Sequence, residues 1–292
     1  MYSTRPGPTG LTASETFRSH DHMHAMVNVA VKAARRAGDV MIRQLNQLHR
    51  LEVTDKGRNE FVTEVDHRAE QAIVEVIHEY YPDHAILAEE RGRQGTHDFE
   101  WIIDPLDGTT NFIHGFPIFA VSIAVRHKDQ LEHGVVYDPL RQEIFTATRG
   151  QGAQLDGRRI RVSQRLRLSE SLIATGFPYR HGTDDVDGYL EMLKAVMGES
   201  AGIRRPGSAA LDLCYLAAGR VDGFWELGLN IWDIAAGALM IREAGGRISD
   251  FEGDDTYLDN GRVVAGNPKI YAALSKLLAP IARKMRSSGT VS

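Results

Sequence analysis

The sequence predicts a layered α/β protein of the α+β kind, a mixed sheet followed by a second half in which strands and helices alternate. Three observations predict it. Strand-like segments follow one another without helices from Ala120 to Thr148. After Gly150, short apolar runs alternate with helical ones. A chain of 292 residues with 42% hydrophobic and 25% charged side chains can bury a sizeable core.

Taken in order, Met1 to His22 carries Gly, Pro, Ser and Thr but no apolar stretch of the signal-peptide kind, and reads as a flexible tail. From Met23 to Leu48, Met26, Val29, Ala30, Ala33, Ala37, Val40 and Met41 recur at helical spacing. Lys56 to Asn59 reads as a loop. Thr63 and Asp66 resemble a capping box that opens a helix to about Tyr80, which Pro82-Asp83 ends. Ala85–Ala88 is a short strand running into Glu89-Glu90, and Trp101–Ile103 another running into Asp104. Strands are expected at Ala120–Arg126, Leu131–Tyr137, Glu143–Thr148, Leu172–Thr175, Gly223–Glu226, Ile248–Asp250 and Val263–Ala265. Helices are expected at Val186–Val196, Ser208–Ala218, Ile234–Ala244 and Pro268–Met285, with Gly245-Gly246 as a stop. The chain thus divides into a tail (1–22), an α+β half (23–160) and an α/β half (161–292).

Several function classes lose support. The formal net charge is −5, from 34 basic and 39 acidic side chains, so no global basic balance points to nucleic acid. The acid excess reads as solubility, or as carboxylates gathered around cations. The basic cluster from Arg158-Arg159 to Arg167 reads as a solvated face in preference to an RNA site. No apolar run approaches the roughly 20 residues that span a bilayer, so no membrane partner is expected. The single cysteine, Cys214, lies in an apolar helical stretch and reads as a buried small hydrophobe. Such low cysteine use fits a cytoplasmic location. Twelve histidines show no zinc spacing, and neither a phosphate loop nor a dinucleotide fingerprint occurs.

The informative stretch is Trp101-Ile102-Ile103-Asp104-Pro105-Leu106-Asp107-Gly108-Thr109-Thr110-Asn111-Phe112. Two carboxylates at a strand-to-turn junction can face one point and offer oxygen to a hard cation such as Mg²⁺. The Leu106 carbonyl lies between them. Gly108 lets the backbone approach a ligand, and the N–H groups of Gly108 and Thr109 can receive phosphate oxygens. The bland alternative is an Asp-Pro turn and a helix cap. Asp233, taken alone, reads as an N-cap, and Glu89 or Glu90 alone as a solvated charge. Their weight comes from the combination.

That combination resembles the inositol monophosphatase family of magnesium-dependent, lithium-sensitive phosphatases, from about Met23 to Met285. The carriers are Trp101–Phe112, Trp232-Asp233-Ile234-Ala235-Ala236-Gly237 with Glu243-Ala244-Gly245-Gly246, Glu89-Glu90, and Val62–Asp66. The resemblance implies an αβαβα sandwich of the sugar-phosphatase type and hydrolysis of a small phosphate monoester, inositol 1-phosphate foremost, by metal-activated water. It implies that Glu89, Asp104 and the Leu106 carbonyl hold one magnesium ion. Asp104, Asp107 and Asp233 would hold a second, and Asp66 with Glu89 would lie near a weaker third. Thr109 with Asp66 would orient the attacking water. Gly108 and Thr109 would bind phosphate. Gly207, Ser208, Ala209, Glu226 and Arg204 would surround the alcohol half, with Lys56 at the site's edge. A homodimer is implied. So, for some bacterial relatives, is a role in transcription antitermination through RNA polymerase or its partners. A nucleotide 3′-phosphatase, fructose bisphosphatase or histidinol phosphatase reading keeps the fold and changes the substrate.

Overall fold

The computed structural model describes residues 13–45, 48, 53–57, 60–178 and 186–288, with side chains from residue 25 apart from those of 53–63 and 286–288. Helix α1 (Ala13–Leu45) begins ten residues earlier than the periodicity predicts, within the stretch expected as a tail. Between Ala13 and His22 no Pro or Gly interrupts the chain, so nothing local stops the helix. A hairpin of β1 (Val53–Gly57) and β2 (Glu60–Thr63) follows. It takes in Lys56 and Gly57, which the sequence places in a loop. Gly57 marks a shift in the pairing register, so strand and turn share this glycine.

Helix α2 (Glu64–Tyr80) precedes β3 (Ala85–Ala88), β4 (Gly92–Gln94), β5 (Phe99–Asp107) and the short helix α3 (Thr109–Ile113). The strands β6 (Ala120–His127), β7 (Gln130–Asp138) and β8 (Glu143–Thr148) run on without helices, as the strand spacing predicts, and β9 (Gly152–Leu155) and β10 (Arg158–Arg159) continue the run where the sequence reading expects no strand. These strands form one eight-stranded sheet in the order β10-β9-β8-β7-β6-β5-β3-β4. Only the β3–β5 pairing is parallel.

The rest alternates: β11 (Leu172–Thr175), α4 (Val186–Glu199), β12 (Gly202–Arg204), α5 (Ala209–Ala217), β13 (Gly223–Glu226), α6 (Ile231–Glu243), β14 (Arg247–Ser249), α7 (Tyr257–Asn260), β15 (Val263–Gly266) and α8 (Pro268–Ser288). A second sheet has the order β12-β11-β13-β15-β14. In it, β11 is parallel to both neighbours.

Three hydrophobic cores show how these pieces stack. One joins α1 and α2 to a face of the large sheet, through Met26, Ala33, Ile73, Trp101 and Ile123. The central one joins the other face to α5, α6 and the small sheet, through Ile102, Phe145, Leu213, Ala236 and Phe224. The third covers the outer face of the small sheet with α4 and α8, through Trp225, Met192 and Leu274. The layers therefore run helix, sheet, helix, sheet, helix, the αβαβα sandwich that the resemblance implies. A glycine permits the tightest approach: a Cβ on Gly134 of β7 would lie 2.9 Å from the carbonyl oxygen of Ala236 in α6. There helix backbone rests directly on sheet backbone.

Candidate active site

The two aspartates of the central motif lie three residues apart, which in a regular strand would send them to opposite faces. The β5–β6 ladder pairs Asp104 with Ser122 and then Asp107 with Ala120. Three steps on β5 thus match two on β6. The extra residue is a bulge at Pro105-Leu106, where a proline costs no ladder hydrogen bond. It returns Asp107 to the side of Asp104. The Leu106 amide closes the turn by donating to Asp104 Oδ1 at 2.9 Å.

Asp233 arrives from the other half of the chain. Ser122, opposite Asp104, donates its hydroxyl to the Trp232 carbonyl at 3.1 Å and so ties the start of α6 to β6. Asp233 is not the N-cap. Helix α6 starts earlier, at Ile231, and Asp233 sits one turn in with its Oδ2 accepting the Asn230 amide at 2.7 Å. One carboxylate oxygen from each of Asp104, Asp107 and Asp233 falls within 4.8 Å of the others, and all three residues are buried. Glu89, at the end of β3, shares a side-chain hydrogen bond with Asp104. Two carboxyl groups can meet in this way only with a proton or a cation between them.

The surroundings hold this corner in place. Asp107 Oδ2 accepts the Ser208 hydroxyl at 2.5 Å and the Ala210 amide at 2.8 Å, which caps α5 from outside that helix. Thr109 Oγ1 lies 3.0 Å from both Asp66 Oδ1 and the Leu106 carbonyl oxygen. Asp66, 1% exposed, sits in the first turn of α2. Gly108 adopts φ +94°, where a Cβ would lie 3.0 Å from the Ile118 carbonyl oxygen and 3.2 Å from that of Gly207. The Asn111 amide bridges the two halves of the chain, donating to the carbonyls of Ile118 at 2.8 Å and Pro206 at 2.9 Å.

Burial pushes the Asp104 carboxyl well above its ordinary range, with Glu89, Asp107 and Asp233 adding repulsion. Asp107 is pushed up to about 7, first by burial and then by Asp233. A set of crowded, dehydrated oxygen donors suits a hard divalent cation. Asp104, Asp107, Asp233, Glu89 and the Leu106 carbonyl are the residues that can hold it.

These groups line one cavity of about 610 Å³, a volume suited to a small ligand. Around it the fold places Glu89, Asp104, Leu106, Asp107, Gly108, Thr109, Gly207, Ser208, Ala209, Glu226 and Asp233, and Asp66 joins through Thr109. Arg204 does not line it. This side chain is exposed at the end of edge strand β12, where it donates to the Ile203 carbonyl at 2.9 Å. Its neighbour Arg205 lines the cavity instead, with its guanidinium 5.1 Å from the centre of the Phe177 ring. Adjacent side chains in extended backbone point to opposite sides, so only one of the pair can face the site. The Lys56 and Thr63 side chains lie outside the described residues.

Sequence reasoning missed Asp212, Asn111 and Phe177. Asp212 is 2% exposed, lines the cavity, and is pushed well above the usual carboxylate range by burial, then by Glu226 and Asp107. Its signal was legible: a carboxylate in the otherwise apolar run Ala209-Ala210-Leu211-Asp212-Leu213-Cys214.

Residues 22–287 match the inositol monophosphatase family. The chain belongs to that family. Nus factor SuhB of Pseudomonas aeruginosa is 53% identical over 264 residues, covering 88% of this chain and 97% of that one. The crystal structure of extragenic suppressor protein suhB from Bartonella henselae superposes with a TM-score of 0.84 at 46% identity, covering 87% of this chain and 98% of that one. The inositol monophosphatase structure from Anabaena has a TM-score of 0.78 at 37% identity, with 88% and 96% covered.

Proposed function

We propose that this inositol monophosphatase family member hydrolyses a small phosphate monoester in a Mg²⁺-dependent reaction, with inositol 1-phosphate the leading substrate. The observation that carries the reading is the buried trio Asp104, Asp107 and Asp233, with oxygens within 4.8 Å, opening onto a cavity. Glu89, Asp104 and the Leu106 carbonyl would hold one ion; Asp104, Asp107 and Asp233 would hold a second; Asp66 and Glu89 would lie near a weaker third. When bound, magnesium supplies Lewis acidity toward water and the phosphoryl oxygens. Asp66 holds the Thr109 hydroxyl at the cavity wall, where its oxygen can accept a hydrogen bond from the attacking water. Amides of Gly108 and Thr109 receive the phosphate oxygens. Glu226, Gly207, Ser208 and Ala209 face the alcohol half, and Arg205 takes the place expected of Arg204. No covalent phosphoenzyme forms. A panel of phosphate monoesters assayed with Mg²⁺ and with chelator tests the reading. Inositol 1-phosphate should rank first, and chelator and Li⁺ should suppress release. Phosphate release from none of the esters, or release indifferent to chelator, would sink it.

A second role has a specific observation in its favour. Relatives 53% and 52% identical, from Pseudomonas aeruginosa and Escherichia coli, are named Nus factor SuhB. This chain would then also join a transcription antitermination complex, by a surface contact independent of the carboxylates and as a homodimer. Enrichment of RNA polymerase components in a pull-down supports that role, and no enrichment counts against it.

A further inference from the structure

The arginines between the two sheets are left unused by the ester site. Arg158, Arg159, Arg161, Arg165 and Arg167 fall within ten residues, and all five are exposed. A solvated face and the guarding of an edge strand are the ordinary accounts of such a cluster. Edge protection covers Arg158 and Arg159 alone, because β10 ends there. The other three lie beyond it, on irregular backbone that is nonetheless pinned. Ile160 donates its amide to Ala153 at 2.9 Å, and Val162 donates to Ala244 at 3.2 Å. The buried Asn267 donates to Ser163 Oγ at 3.2 Å and to the Arg165 carbonyl at 3.0 Å. Ile160 and Val162 pack against the central core. The chain thus turns apolar residues inward, presents arginines outward, and needs no ordering before it meets a partner.

The local acids are already engaged. Asp156 Oδ1 accepts the Ile144 amide at 2.9 Å. Glu243 accepts the Gly150 and Gly152 amides, each at 2.7 Å. Glu170 pairs with Arg167. Among the described residues, Arg158, Arg159 and Arg165 make no ion pair. Exposed Arg247 extends the charge from the neighbouring strand, since Gly246 abuts Val162. Arg165 and Arg167 also line a cleft with Arg220.

We infer that this strip is a binding surface for single-stranded nucleic acid, read through its phosphate backbone. Three features favour that partner over an acidic protein. Every cation in the strip is a guanidinium, the group suited to two-pronged contact with phosphate. Five exposed guanidiniums within ten residues can meet several phosphates of one strand. Leu166 is the one exposed large hydrophobe in the strip, so it lacks the apolar centre that protein interfaces carry. The inference does not rest on the phosphate-ester reading.

The test is fluorescence anisotropy of the full chain with a labelled single-stranded RNA, and with the matching DNA, across a salt series. Phosphate contacts by the three arginines without an ion pair predict a log–log salt slope of about −2.1, hence about twentyfold weaker association at 200 mM than at 50 mM salt. The triple variant Arg158→Gln, Arg159→Gln, Arg165→Gln should bring the slope close to zero and weaken binding at least tenfold at 50 mM salt, with thermal stability and phosphate release unchanged. Binding of RNA alone, or of both nucleic acids, supports the assignment and distinguishes the source. Three results would overturn it: no binding by the unaltered chain at 50 mM salt, equal binding by a folded triple variant, or polyglutamate binding as tightly through the same arginines.

Discussion

At one end of the cavity the carboxylates are locked from several directions. Ser208 and Ala210 grip Asp107, Asn230 holds Asp233, and the Leu106 amide holds Asp104. At the other end Arg205 lies exposed over a phenylalanine ring, and Glu226 and Asp212 crowd each other. In the proposed reading the locked end carries the chemistry, which tolerates little displacement, and the other end meets the alcohol.

Removing a ligand from the locked wall should produce the largest effect. Asp107→Asn keeps an oxygen for Ser208 and Ala210 but loses the charge. Its phosphate release at saturating ester should fall by roughly a thousandfold or more, with the fold retained by circular dichroism. Activity within tenfold of the unaltered protein would break the contrast between the two ends.

Titration of the same wall comes next. Without a metal, burial and then Asp233 push the Asp107 carboxyl from an ordinary 3.8 up to about 7. Folding therefore favours its acid form. The stability that this contributes is full below about 4 and is lost as the pH rises through 7. With chelator present, the melting temperature should be lower at pH 8 than at pH 5. Adding Mg²⁺ should raise it more at pH 8, because ion and proton compete for the same oxygens. A melting temperature flat across this range would contradict the crowding of Asp107 and Asp233.

A subtler disturbance of the locked wall acts through Glu70, which is fully buried. One of its oxygens accepts the Glu90 amide at 2.9 Å, and the other lies 3.3 Å from Arg91 Nε. It thereby fixes the turn that carries Glu89. Glu70→Ala should weaken Mg²⁺ binding by about tenfold, read from the Mg²⁺ dependence of thermal stability as well as of turnover. An unchanged Mg²⁺ midpoint would show that the turn holds itself.

The smallest effect belongs to the open wall. Arg205→Ala should raise KM for the ester about three- to tenfold with kcat nearly preserved, while Arg204→Ala stays within about twofold. The reverse order would return Arg204 to the site.

Much of the locked wall is legible in the residue order, because contiguous motifs build it. Asp104, Leu106, Asp107, Gly108 and Thr109 come from twelve consecutive residues, and period-two strands around them predict the sheet. What stayed hidden depends on pairing across space. The bulge at Pro105-Leu106 exists only against β6. Asp233 reads as a cap until α6 is seen to begin at Ile231. Choosing Arg205 over Arg204 needs the direction of a side chain, which an Arg-Arg dipeptide does not encode. Asp212 was passed over although it stands out in an apolar helix, because the sequence does not say which cavity that helix faces. Strand boundaries fared well wherever β-branched and aromatic runs were long, and the sequence reading missed β1, β2, β4, β9, β10 and β12, whose pairing comes from neighbours rather than propensity.

The close seating of α6 on β7, made possible by Gly134, has a consequence for how the protein comes into being. During synthesis the strand bearing Asp104 and Asp107 leaves the ribosome more than a hundred residues ahead of the helix bearing Asp233. Until that helix settles onto the sheet, the carboxylate cluster lacks Asp233 and one face of the sheet stays bare. Completion of the proposed ion site and burial of the central core thus wait for the same helix, and an ion captured there would report that it has docked.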